Sequence, residues 1–541
     1  LYLNFLSLVV FMSESKPWLN WPLTLPQGKI AYHGQDPTQY TEYKAIHNRE
    51  FLTTMTKDIR KNVVNQVRVA AKAKLNLDST NGVAAVVMGG KAADWELYCS
   101  DTDKAVFRQE SFFMHLFQVN EPDLFGIIDL SGDNDDGRGY SILGLPYLPP
   151  SASRWNGEPK PNSYYTETYG LDDAFICTTP EGSSSPIADY LKKRNIHTIL
   201  VIYGQNTDSG SFTKTTAVFD GIDQFTVDKT VLHRELSLLQ SVKTDMEIEY
   251  LRHCCNMSAR AHTFVMANIK PCMTELQCEA LFTAYCAFYG GSRANAYTCI
   301  CGANQHGSIL HYGHAAYPNA GVLTDGDMMV LDMGGEYCGY ATDLTRSYPV
   351  NGKFTDQQRA IFNIVRKAQL AVYDQIKPGA SWPDLHRLSE KIIIEGLLEV
   401  GVLNGTVEDC VKNYVAQMFM PHGLGHLLGL NVHGVGGFID CEKECAPGVC
   451  WLRLGRKLEK NMVLTVEPGV YFNLSWINDV LKAQPHLEAF VNREKLEEYR
   501  NFGGVRLEDD VAVTADGYEL LTGAWPSTVE EIEEVCKLHF Q

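Results

Sequence analysis

The chain has 541 residues, 45% of them apolar, enough to bury large cores and to suggest roughly two to four domains. Its 47 basic against 65 acidic side chains leave a net charge of −18, which argues against nucleic acid or an anionic membrane as the main partner, because phosphate binding needs basic surface. The 15 cysteines are odd in number and include Cys254-Cys255 and Cys299-x-Cys301 in apolar segments, a pattern of free thiols in a reducing compartment, so a cytoplasmic location is expected.

The first stretch, LYLNFLSLVVFM (1–12), is apolar but has no basic n-region and no small-x-small cleavage site. It is also shorter than the roughly 20 residues of a membrane span. Residues 1–15 are therefore expected to be an extension outside the native fold, with Met12 the natural start and a signal anchor the alternative. From 16 to 238, short apolar runs (GVAAVVMGG, LFGIIDL, HTILVIYG) mix with helical spacing over 48–75, which predicts an α/β domain. The stretch 131–163 is rich in Gly, Pro, Asp, Asn and Ser and predicts a long loop. Trp155 within it is either a local packing anchor or a binding residue.

A second domain, 239–541, opens with long helices. Thr244-x-x-Glu247, Thr274-x-x-Gln277 and Thr355-x-x-Gln358 have capping-box spacing, and each precedes a run with apolar residues three and four apart. Between and after these lie the strand-like segments DMMVLDMGG, GYATDLTRSYPV, MVLTVEPGVYF and GGVRLEDDVAVT. They predict a curved antiparallel sheet, covered by helices on one side and carrying acidic residues on the other.

Five residues of this half stand out: Asp332, Asp343, His426, Glu467 and Glu508, each read as lying on a strand or strand end near turn glycines. Four carboxylates match the charge of two divalent cations, and an oxygen-rich set with one imidazole suits hard or borderline first-row ions. Two such ions sharing a hydroxide are a device for hydrolysis at neutral pH. Taken singly, each residue has a plainer reading. Asp332 and Asp343 could be solvated acids beside a turn, His426 a satisfied structural histidine, and Glu508 a salt-bridge partner of Arg506 two residues away. Glu467 is different, since an unpaired carboxylate in the apolar run LTVEPGVYF needs a cation or a proton.

The motifs HYGHA (311–315), LDMGGEYCGYATDLTRSYP, PHGLGHLLGLNVH, VLTVEPGVYF and GGVRLEDDV, together with FRQESFF (107–113) and NTDSGS (206–211), closely resemble those of eukaryotic prolidases, the Xaa-Pro dipeptidases of the pita-bread metallopeptidase superfamily. The resemblance implies a prolidase-like α/β first domain and a pita-bread second domain. It also implies a dinuclear, manganese-type centre on Asp332, Asp343, His426, Glu467 and Glu508, with Asp343 and Glu508 bridging, and hydrolysis of dipeptides ending in proline or hydroxyproline. His311, Tyr297, His433 and Arg453 match positions that bind substrate, and Arg506 one that supports the ligands. Glu467, His426, His433 and Arg453 are the implied catalytic set, Glu467 as both ligand and proton shuttle.

These roles make physical sense. An Arg453 guanidinium can hold the free carboxylate of a dipeptide, a pair that a longer peptide cannot make. An Xaa-Pro imide has no N–H, so polarising its carbonyl through a metal is a suitable way to attack it. Either His311 or His433 could instead only orient a metal ligand.

Some positions depart from the family pattern. Gly434 follows His433 where an acidic residue is usual, and CEKECAPGVC (441–450) carries three cysteines that invite a zinc reading but lack a fourth ligand at suitable spacing. Trp155 lies in a context resembling a loop that reaches the partner subunit's site in dimeric relatives, which implies a homodimer and a substrate contact. Two alternatives to the dipeptidase stay open: an aminopeptidase P-like enzyme on longer peptides, and a catalytically silent binding protein of the same fold.

Overall fold

The computed structural model describes residues 49–92, 106–131, 137–313 and 318–538. Residues 1–15, with Met12, and His314 and Ala315 of the HYGHA motif lie outside the described residues. The contacts divide the chain into two compact units that meet in sequence between Glu249 and Tyr250. That point falls inside the helix Asp245–Asn268, eleven residues beyond the boundary expected from the change of texture.

The first unit is built on a six-stranded mixed sheet. Its strands are β1 (Val83–Met88), β2 (Phe125–Asp129), β3 (Tyr140–Leu145), β4 (Asp173–Ile176), β5 (Thr198–Val201) and β6 (Thr226–Asp228), in the order β4-β3-β2-β1-β5-β6. β1 runs antiparallel to β2 and parallel to β5. β2 is buried at every position, and β1 at all but its last, so both read as continuous apolar runs instead of alternating ones. Their core is closed by Ile187 and Leu191 of the helix Ser185–Lys193 packing with Val86, Ile127, Ile142 and Ile199. The expected helix over 48–75 is present as Arg49–Leu75.

The stretch 131–163 is not one loop. It contains β3, a short 3-10 turn at Pro150–Ala152 and the helix Ser153–Asn156. The run YSILGL is only six residues long between Gly139 and Pro146, and the surrounding turn residues mask it, although Tyr140 to Gly144 pair with β2.

The second unit is helical on the outside and antiparallel within. The three capping boxes start helices as predicted: Thr244 and Glu247 bond reciprocally at the head of Asp245–Asn268, and Thr274 and Thr355 cap Glu275–Gly290 and Asp356–Tyr373. Asp356–Tyr373 buries Ile361, Phe362, Val365, Ala368 and Val372, the stripe that its three- and four-residue spacing foretells.

The strands are β7 (Ala294–Asn295), β8 (Ile300–Ala303), β9 (Met328–Asp332), β10 (Gly335–Tyr337), β11 (Tyr340–Ala341), β12 (Thr345–Pro349), β13 (Val463–Val466), β14 (Gly469–Tyr471), β15 (Gly504–Arg506), β16 (Asp509–Val513) and β17 (Tyr518–Leu520). All their pairings are antiparallel, in the sets β12-β9-β8, β13-β16-β17, β14-β15 and β11-β10-β7. A single bridge from Thr345 of β12 to Glu508 links the first of these sets to the segment between β15 and β16, and another, Leu427 to Leu464, lays an irregular segment against β13. The expected sheet is thus interrupted, and the breaks carry chemistry. Glu467 falls between β13 and β14, and Glu508 between β15 and β16.

Candidate metal centre

Asp332 is the last residue of β9, and Thr345, the first of β12, faces it in register. The twelve residues between form the excursion that holds the β10–β11 hairpin and returns the chain with Asp343 two residues before Thr345. Glu508 arrives from the third direction, bridged to Thr345 through both backbone bonds and through the Thr345 hydroxyl, which donates to its carboxylate at 2.6 Å. Ligand oxygens of Asp332, Asp343 and Glu508 lie within 4.8 Å of one another.

His426 and Glu467 complete the cluster from the other strand set. Leu427 bridges Leu464, so the irregular segment PHGLGH lies along β13, and the Thr465 hydroxyl accepts the His426 N–H at 3.0 Å. A Cβ on Gly425 would meet the Thr465 carbonyl oxygen at 2.1 Å, so only glycine allows this approach. His426 does not sit on a strand, as the sequence reading had it, but in this glycine-spaced segment. Its Nδ1–H is directed to the Leu427 carbonyl at 3.0 Å, which leaves Nε2 with a lone pair facing Asp343 at 3.3 Å and Glu467 at 3.7 Å. A second group of ligand atoms within 4.8 Å, from His426, Glu467 and Glu508, shares Glu508 with the first, and a third joins Asp343, His426 and His433.

Four carboxylates gather here around one guanidinium. Arg506 contacts Asp332 at 2.5 Å, the Tyr471 hydroxyl at 2.8 Å and the Thr345 hydroxyl at 3.0 Å, and its Nε lies 3.6 Å from Glu508. Its closer carboxylate partner is Asp332, so the pairing with Glu508 read from the sequence is the weaker one. Burial, reinforced by the neighbouring carboxylates, pushes the Asp343 and Glu508 carboxyls well above the usual range. Burial also lifts Glu467, to about 7, against the opposing pull of His426 and Arg506. One arginine does not balance the acids, and the donor set is that of oxygen-preferring divalent ions, so the residues present fit a pair of such cations.

The cluster forms one wall of a cavity of about 300 Å³ that His311, His433 and Arg453 also line. The His433 ring stands edge-on to His426 at 4.5 Å, and burial, with the neighbouring His426 and Arg453, pushes it down to about 2, so it is neutral. Position 434 has no room for the acidic residue expected there, since a Cβ would come within 2.9 Å of Leu427 backbone atoms. Tyr297 is not among the lining residues. Its hydroxyl instead lies 2.5 Å from Asp332 and 2.7 Å from Asp343, where it can donate to either carboxylate. Trp155 belongs to the first unit, on Ser153–Asn156, where it is 71% exposed beneath the Arg154 guanidinium.

Several residues escaped the sequence reading. Tyr471 accepts from Arg506 and faces His422 Nε2 at 3.0 Å, while His422 Nδ1 is directed to the Gly423 carbonyl at 2.8 Å. This ordering makes His422 a neutral acceptor, and burial together with Arg506 pushes it down to about 3. Asp510, fully buried, accepts the Asp343 backbone N–H at 3.1 Å, and the Cys255 thiol donates to it at 3.2 Å. Glu275, also fully buried, gathers the Ala303 and Gly321 N–H groups, His306 and Tyr312, and so braces the segment that carries His311. Only the second histidine of PHGLGH had a signal in the sequence; the others look like ordinary strand or cap residues. The cysteines of 441–450 are free and join no metal-ligand group among the described residues, so the zinc reading has no support.

The profile of metallopeptidase family M24 matches residues 249–515, and that of the aminopeptidase P N-terminal domain matches 60–197. An Xaa-Pro dipeptidase of Rattus norvegicus is 43% identical over 471 residues, covering 87% of this chain and 92% of that protein, and one of Homo sapiens matches to the same extent. The solved structure of aminopeptidase P from Escherichia coli with the inhibitor Pro-Leu superposes with a TM-score of 0.69 at 26% identity, over 90% of this chain and 99% of that one. The fold is thus that of aminopeptidase P, the pita-bread fold, with its N-terminal companion domain. The acid-and-histidine cluster and the likeness agree: this chain belongs to the prolidases, the Xaa-Pro dipeptidases of metallopeptidase family M24, hydrolases that act with divalent metal ions.

Proposed function

We propose that this protein hydrolyses Xaa-Pro and Xaa-hydroxyproline dipeptides with two divalent cations, preferentially manganese, held by Asp332, Asp343, His426, Glu467 and Glu508. The observation that carries this reading is the single cavity in which those five residues meet Arg453, His311 and His433. When bound, such a pair of cations supplies a hydrolytic nucleophile at neutral pH and polarises a carbonyl.

The remaining work falls to the chain. Arg453 pairs with the free carboxylate of the dipeptide, which sets the length of substrate that fits. His433, held neutral by burial, and His311 donate hydrogen bonds to the substrate carbonyl or carboxylate. Glu467, a carboxylate on the cavity wall, is placed to accept a proton from the attacking water and return it to the departing prolyl nitrogen. Arg506 and Tyr297 keep the acidic ligands in place while that charge moves.

A cytoplasmic homodimer completes the reading, supported by free thiols throughout the described residues and by the exposed Trp155 as a contact toward a partner's site. The test is hydrolysis by metal-stripped protein reloaded with manganese, cobalt or zinc. Gly-Pro is expected to be cleaved far faster than Gly-Pro-containing tripeptides. Equal rates on both would favour the aminopeptidase reading, and no hydrolysis of either would favour a silent binding protein.

A further inference from the structure

Trp451 is a large apolar side chain left half exposed, at 49%, and it lines the same cavity as the metal cluster. Its indole enters no hydrogen bond and no ring contact with any described residue. It closes the 3-10 turn Val449–Trp451, after which Leu452 is extended (φ −61°, ψ 143°). Side chains alternate along such a segment. Leu452 accordingly turns into the core at 2% exposure, while Trp451 and Arg453 both face the cavity. The turn is anchored from behind, because Arg387 donates to the Pro447 carbonyl at 2.9 Å and pairs with Glu390 at 2.6 Å. The backbone that carries the indole is therefore fixed before any substrate arrives.

From this placement we infer that Trp451 recognises the pyrrolidine ring of the C-terminal imino acid. The inference rests on the dipeptide reading. If Arg453 holds the substrate carboxylate, the ring whose α-carbon carries it lies one bond away, in the cavity that the indole two residues from Arg453 also lines. A flat, polarisable face packs well against the ring's methylene groups. Trp451 is then a specificity-determining residue, selecting a ring over an open-chain tertiary amide that also lacks an N–H.

Manganese-loaded full-length protein is assayed on Gly-Pro and on glycyl-sarcosine, whose tertiary amide has no ring. Trp451→Ala is expected to lower kcat/KM for Gly-Pro about tenfold, mainly through KM, and to change glycyl-sarcosine by no more than about twofold. Trp451→Phe, which keeps an aromatic face, should recover most of the loss. Equal losses on both substrates, no loss on either, or a loss confined to dipeptides with a large first residue such as Leu-Pro would each overturn the inference. A wild-type protein inactive on both dipeptides would instead bring down the dipeptidase reading itself, and this inference with it.

Discussion

Arg506 and Asp332 meet at 2.5 Å between two strand sets, β15 of one delivering the guanidinium and β9 of the other the carboxylate. The same guanidinium reaches Tyr471 and Thr345, so one planar group ties three strands to the ligand cluster. Lysine offers a point charge and cannot serve three acceptors in that fixed geometry. Arg506→Lys should therefore retain bound metal yet lower kcat by about tenfold or more, in line with the usual cost of disturbing residues that orient metal ligands. Steady-state kinetics beside metal analysis checks this. Wild-type kcat in a correctly loaded variant would remove Arg506 from the supporting role.

Asp343 shares ligand-atom groups with Asp332 and Glu508 on one side and with His426 on the other. Asp343→Asn removes a charge that both cations are expected to use. Metal content should fall from two ions to one or none per chain, and activity to about a hundredth or less, with the first unit still folded. Elemental analysis and circular dichroism would report it. Activity above a tenth of wild type contradicts the assignment.

Stability should depend on pH in opposite ways with and without metal. In the metal-free protein the Glu467 carboxyl rises from its ordinary 4.5 to about 7, chiefly through burial, and Asp343 and Glu508 rise further. The folded state then binds more protons than the unfolded one. This contribution to stability is full below the unfolded value and is lost as pH climbs through 7. Chelated protein should lose several degrees of Tm between about pH 5.5 and 8 relative to loaded protein, whose ligands are deprotonated by the ions. Parallel Tm profiles for the two forms would show that the carboxylates do not carry the cluster's electrostatics.

Substrate length should turn on Arg453 if it holds the free carboxylate of the dipeptide as proposed. Arg453→Ala should raise KM for Gly-Pro by about ten- to a hundredfold, the worth of a charge-assisted pair, with a smaller change in kcat. The preference of the wild type for Gly-Pro over its C-terminal amide should vanish in the variant. If the preference survives, the carboxylate is read elsewhere.

Much of this site is legible in the sequence because its candidate ligands come as acids or a histidine in apolar, glycine-punctuated segments, where bland explanations are expensive. Glu467 announced itself in that way, and capping boxes announced the helices around it. The supporting residues did not. Thr345, Tyr471 and Asp510 look like ordinary strand residues, and their partners lie 35 to 167 positions away in the chain. Trp451 lay beside a cysteine-rich stretch whose thiols suggested a different chemistry. In the first unit β3 was hidden because a six-residue run, YSILGL, between turn formers carries too little periodicity to separate strand from loop.

If two cations bound by one buried cluster make the chain a dipeptidase, a manganese titration of metal-free protein against Gly-Pro will show it. Activity should climb with bound metal and reach its plateau at two ions per chain, with chelation abolishing it reversibly. Full hydrolysis in chelated protein, or a plateau reached while Asp332, Asp343, His426, Glu467 and Glu508 hold no ion, would contradict the account.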